Sequence, residues 1–175
     1  MEDRTDYKQA ASFWLEKDAR APKLDRAVVY GEMERFIRAH NTCALATCDL
    51  EGNVRATPIE YIFKDGFFWL LSEGGLKFRG LEVNKKVSLA IFDPFTGFKN
   101  LGGLQLDGRA EVIEPWSEAY LDFLACKHID PEKFRKMPIV MHLIKITPLA
   151  ADFISAKLGE LGGGYRQHWD SEAQA

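Results

Sequence analysis

Apolar residues recur along this chain with two different periods. Over residues 5–20 they fall at helical spacing, with Thr5 placed to cap and Phe13, Trp14 and Leu15 on one side. ARAPKL interrupts that pattern, and a second helix is predicted over about 25–39 on Val28, Val29, Met33, Phe36 and Ile37. From residue 42 the apolar blocks become short, as strands require. TCALATCD, NVRATPIEYIF, FFWLLS, KVSLAIF, LGGLQLDGRAEVIE and IVMHLIKITP follow one another, with a short helix over about 75–84 after the third. Asp65-Gly66 between the second and third blocks is a strong hairpin signal. Pro115 suits a helix start, so PWSEAYLDFLACKH is predicted helical. LGELGGGYRQHW is expected to be a Gly-rich loop and SEAQA a frayed end.

Six strands joined by hairpins, with few long helices, predict a closed or partly closed antiparallel barrel, because closure removes exposed edges. The expected plan is one domain: helices over about 5–39, the barrel over about 42–148 and a tail over about 149–175. Both faces of IEYIF, FFWLL and VSLAIF are apolar. One face of a barrel wall fills the interior, so the other must meet helices, a ligand or another subunit. A homodimer is therefore expected, with a monomer wrapped by its own helices as the alternative.

Composition removes several classes of function. A net charge of −3 and a pI near 5.8 give no broad basic face for nucleic acid. The charged start MEDRTDYKQ lacks the apolar core of a secretory signal, and no stretch is long enough to span a bilayer, so a cytoplasmic protein away from membranes is expected. Three cysteines without such a signal are expected to be reduced thiols. Cys43 and Cys48 fall on opposite faces of one strand, and the four histidines are dispersed. No metal site is expected, and His142 is read as a packed residue.

The chemistry concentrates at LLSEGGLKFRGL, residues 70–81, where a strand ends in two glycines and a helix begins with Lys77 and Arg79. Acids usually favour a helix start, so cations there imply an external anion. Continuing the Asp65-Gly66 hairpin pairs Glu60 with Leu71 and leaves Arg55 opposite Leu76. Arg55, Lys77, the hydroxyls of Thr57 and Ser72 and the backbone at Gly75 would then make a phosphate or carboxylate pocket. Neither a Walker loop nor GxGxxG is present.

The run ALATCDLEGNVRATPIEYIFKDGFFWLLSEGGLKFRGLEVNKKVSLAIFD, with LQLDGRAEVIE after it, resembles the pyridoxamine 5′-phosphate oxidase-like family of FMN-binding split β-barrels. The resemblance rests on the order of Asp49 to Gly52, Arg55, Asp65-Gly66, Lys77, Leu81, Asn84, Val87 and GRAEV, and covers about residues 36–114. It implies a dimeric, mainly β split barrel with flanking helices that binds FMN between subunits. Arg55 and Lys77 would hold the phosphate. Ala56, Thr57, Pro58, Ile59 and Glu60 would run beside the ring, with Leu71, Ser72 and Gly75 at the neighbouring strand end.

The departures define what is special here. Gly75 and Leu76 stand where the oxidases carry a hydroxyl residue and an Arg. Gly103 falls at the place of their flavin-touching Gln, although Gln105 points to the same face. Their Arg/His-rich C-terminal pattern for the vitamin phosphate is not recognisable in GGGYRQHWDSEAQA. Tyr61, Trp69, Phe95 and Phe98 are further aromatics able to line a ring pocket, and Tyr165 and Trp169 are the tail residues placed to fold over one. No side chain need act as a nucleophile or base, since a flavin carries its own redox chemistry. The expected function is an FMN-dependent oxidoreductase acting on a small redox substrate, and not an efficient pyridoxamine phosphate oxidase. The alternatives are a non-catalytic flavin or haem carrier, a deazaflavin-dependent reductase, or a cofactor-free interaction module.

Overall fold

A computed structural model describes residues 7–171. Two helices open the chain, α1 (Tyr7–Arg20) and α2 (Arg26–Ala39). The expected cap Thr5 lies outside the described residues. Asp25 caps α2 by accepting from the Ala27 N–H at 2.8 Å. Val29, Met33 and Ile37 recur every four positions and are buried, so α2 packs its apolar stripe on the sheet. Phe13 and Leu15 of α1 remain mostly exposed, and the Trp14 side chain lies outside what is described.

The strands are β1 (Thr42–Cys48), β2 (Val54–Glu60), β3 (Ile62–Lys64), β4 (Phe67–Ser72), β5 (Lys86–Phe92), β6 (Gly102–Ile113), β7 (His142–Ser155) and β8 (Arg166–Asp170). Their order is β2-β1-β5-β6-β7-β4-β3, all antiparallel, with β8 on the far half of β7. This is the split barrel, with eight strands where six were expected. One addition comes from a strand that breaks. NVRATPIEYIF bends at buried Tyr61, whose hydroxyl donates to the Ile37 carbonyl at 2.7 Å. Before the bend β2 pairs with β1; after it β3 pairs with β4. One stretch of chain thus supplies both outer strands of the sheet. The other addition is β8. The Gly-rich tail is not a loop: β7 runs on to Ser155, α6 (Ala156–Glu160) turns the chain, and β8 returns along β7.

The hairpin register holds only across the tip, where Ile62 faces Trp69 and Lys64 faces Phe67. Glu60 pairs with Thr42 and Leu71 with Leu143, so the expected Glu60–Leu71 pairing does not form. Pro115 does not start the next helix either. Trp116 takes φ 67°, and Ser117 caps α4 (Glu118–Cys126) from outside it. A short α5 (Pro131–Phe134) follows.

Alternation along the strands divides the core. Phe68, Leu70, Ile144 and Ile146 face the barrel interior with Leu45, Leu89, Leu104 and Leu106. Trp69 and Leu71, on the other face, meet Tyr120, Phe123 and Leu124 of α4. The two-faced apolar character of FFWLL is therefore covered by the chain's own helix. β5 differs: Ala90 is half-exposed and Phe92 is 65% exposed on its outward face.

Candidate functional site

Helix α3 (Lys77–Val83) lies against β1 and β2. Its approach is set by Gly80, where a Cβ would stand 3.0 Å from the Cys48 nitrogen and 3.1 Å from the Thr47 Cβ. Arg55 is the register partner of Thr47, so this close packing brings Arg55 toward Lys77. The convergence expected from the hairpin is achieved by the helix instead.

The turn before α3 explains its two glycines. Gly74 has φ 119° and Gly75 φ 95°, a region where side chains are strained. Ser72 is buried, and its Oγ accepts from the Gly74 N–H at 3.2 Å and faces the Gly74 carbonyl at 3.3 Å. The carbonyl of Gly74 also accepts from Lys77 Nζ. Lys77 is only 7% exposed, without a carboxylate partner among the described residues. Burial pushes its pKa down, the Arg55 guanidinium pushes it further, and Glu73 opposes both. A buried amine held beside a second cation favours an incoming anion.

The other expected residues fall on β2 and beyond. Tyr61 N–H donates to the Asn41 carbonyl at 2.8 Å, and Asp49 N–H to Asn53 at 3.2 Å. The antiparallel alternation then makes Arg55, Thr57 and Ile59 bond to β1 and turns the backbones of Ala56, Pro58 and Glu60 to the free edge. Pro58 has no N–H to leave unpaired there. The edge offers N–H groups at Ala56 and Glu60 and carbonyls at Ala56, Pro58 and Glu60. The Glu60 side chain itself is held by Lys127 at 2.7 Å.

Two expected residues are not brought to this place. Gln105 faces outward on β6, opposite Ala90 and Asp152, three strands away from β2. Trp169 is 7% exposed, with Tyr30 at 5.6 Å and Arg26 over its ring at 5.5 Å. It is a packing residue that ties β8 to α2, because the tail is a strand rather than a flap. Arg79 is near enough to Asp49 to add to the lowering of that carboxyl, which the Asn53 side chain chiefly causes. One residue read as packed borders this region. His142 pairs with Ser72 and lies 5.0 Å from the Phe78 ring, beside the glycine turn. Among the described residues no cluster suits a metal ion.

A family model described as pyridoxamine 5′-phosphate oxidase matches residues 30–155, from within α2 to the end of β7. The chain belongs to the pyridoxamine 5′-phosphate oxidase family. Among proteins of similar sequence is heme oxygenase HutZ of Vibrio cholerae, 30% identical over 98 residues. That alignment takes in 54% of this chain and 56% of HutZ, little more than half of either. The solved structure of HutZ, described as a heme storage protein, aligns with a TM-score of 0.55 at 22% identity, over 67% of this chain and 88% of that one. A heme-binding protein from Mycobacterium smegmatis gives 0.58 at 19%, over 79% and 56%. An FAD-binding protein from Mesorhizobium loti gives 0.53 at 20%, over 69% and 87%. These likenesses establish the shared fold.

Proposed function

We propose that this family member binds FMN and acts as an oxidoreductase on a small-molecule substrate. The observation that carries the reading is the pairing of Arg55 with buried Lys77 against a double-glycine turn, beside the free edge of β2. The site fits the group on its donor set: two cations suit a phosphate, and alternating edge donors and acceptors suit the imide of a flavin ring. When bound, FMN supplies redox chemistry that no side chain here supplies. Arg55 and Lys77 fix the phosphate end, the backbones of Ala56, Pro58 and Glu60 orient the ring, and Thr57, Ser72 and Gly75 shape the space between, while the Leu71 side chain packs under α4. Gln105 reaches such a ring only from a second copy. The open outer face of β5, with Ala90 and Phe92, and a groove of about 410 Å³ lined by Ala46, Cys48 and Ser88 support a homodimer there.

The test is an FMN titration of wild type, Arg55→Ala and Lys77→Ala. Each charge-assisted phosphate bond is worth about 1.5–3 kcal/mol, so each variant weakens binding roughly tenfold or more. Equal affinities in all three would overturn the assignment.

A second reading is favoured by the relatives described as heme oxygenase, heme storage and heme-binding proteins. The same two cations would take a haem propionate, and His142 stands nearby, its ring without a hydrogen bond among the described residues. The visible spectrum of the purified protein, before and after adding FMN or haemin, separates a flavin band from a Soret band.

A further inference from the structure

A cleft of about 690 Å³ lies between the short 3-10 turn of Phe98–Asn100, α6 and the Tyr165 ring. It shares no residue with the site at Arg55 and Lys77. Its floor is Leu101, Ala156 and Gly159. Three strands of backbone are pinned together beneath it. Ala156 N–H donates to Leu101 at 2.9 Å, Ser155 N–H to Tyr165 at 2.8 Å, and Gly162 N–H to Gly159 at 3.0 Å.

The aromatic wall is also fixed. A Cβ on Gly159 would stand 2.5 Å from Cε1 of Tyr165, so the glycine is what lets that ring lie against α6. Even so, Tyr165 is 60% exposed and Phe98 80% exposed, so both rings are open to a ligand. The charge at the rim is positive. Lys99 has no carboxylate partner among the described residues, whereas the charge of Glu160 is met by Lys157 at 2.8 Å.

We infer that this cleft binds a planar aromatic carboxylate, its ring against Tyr165 and Phe98 and its acid group at Lys99. The size lies within the usual range for small-molecule sites, which are mostly apolar with a few placed polar groups. Aromatic walls select a flat ring over an acyl chain, and an unpaired ammonium selects an acid over a neutral compound. The inference is independent of the FMN reading, because it uses none of that site's residues.

The test is calorimetric titration of the full-length protein with naphthoate, naphthalenemethanol and decanoate. Naphthoate is expected to bind best. Lys99→Gln should weaken it roughly two- to fivefold, as an exposed ion pair allows. Tyr165→Ala should weaken it roughly three- to tenfold through lost stacking. FMN affinity should be unchanged in Lys99→Gln, which sits on the surface and leaves folding intact. Equal binding of naphthalenemethanol would overturn the role of Lys99, and tighter binding of decanoate would overturn the flat ligand. No naphthoate binding, or a dimer that Phe98→Ala converts to monomer in light scattering, would show that the cleft is not a ligand site.

Discussion

Lys77→Met separates the two demands placed on one buried amine. Burial, and then the Arg55 charge, hold the folded pKa of Lys77 below that of ordinary lysine. The charged form is therefore disfavoured on folding. That penalty is fully present below the depressed folded pKa and disappears as pH rises past the unfolded value. At neutral pH, methionine removes the penalty while keeping a similar volume. Gly74 keeps a donor for its carbonyl, since Ser72 Oγ lies 3.3 Å away. Volume-conserving exchanges shift stability by less than about 1.5 kcal/mol. Here the sign should favour the variant, raising the apo melting temperature by a few degrees, at about 2–4 °C per kcal/mol for a chain of this size. FMN binding should move the other way. Loss of one charge-assisted phosphate bond of about 1.5–3 kcal/mol predicts affinity roughly 10- to 150-fold weaker. Calorimetric melting of the apoprotein and flavin fluorescence titration give the two numbers. A melting temperature lowered by about 10 °C, or an FMN affinity within about threefold of wild type, would refute the reasoning.

Gly80→Val should cost about 1–3 kcal/mol by overpacking against Thr47 and Cys48, and should weaken FMN because α3 carries Lys77; unchanged melting and affinity would count against α3 as the positioning element. Burial pushes the Cys43 thiol up to about 12, whereas Cys126 is exposed. A thiol reagent at mildly alkaline pH should therefore label Cys126 first and Cys43 only after denaturation, as peptide mass mapping would show. Light scattering at micromolar protein should give about twice the 19.9 kDa chain mass, and a monomer with FMN bound would remove the interface proposed on β5. Oxygen uptake with FMN-loaded protein and pyridoxamine phosphate should be slow or absent, because a second phosphate needs cations of its own and only Arg166 and His168 stand in the C-terminal strand; turnover near about one per second would show otherwise.

Local pattern was enough for what local chemistry controls. Apolar spacing placed α2 and the strand blocks, Asp65-Gly66 marked the hairpin, and the order of Arg55, Asp65-Gly66, Lys77, Leu81, Asn84 and Val87 marked the family. Partnering was not legible, because it depends on residues far apart in sequence. A continuous apolar strand does not reveal that it bends at Tyr61, since the bend is fixed by a bond to Ile37 on another element. Glycines in a tail signal a loop until Gln167 finds a buried place against Pro22 and Leu24, and Trp169 one against Tyr30 of α2. The meeting of Arg55 with Lys77 was anticipated from a hairpin register that does not extend that far. Tertiary structure brings them together by a different route, because the missing side chain at Gly80 lets α3 settle closely on β1.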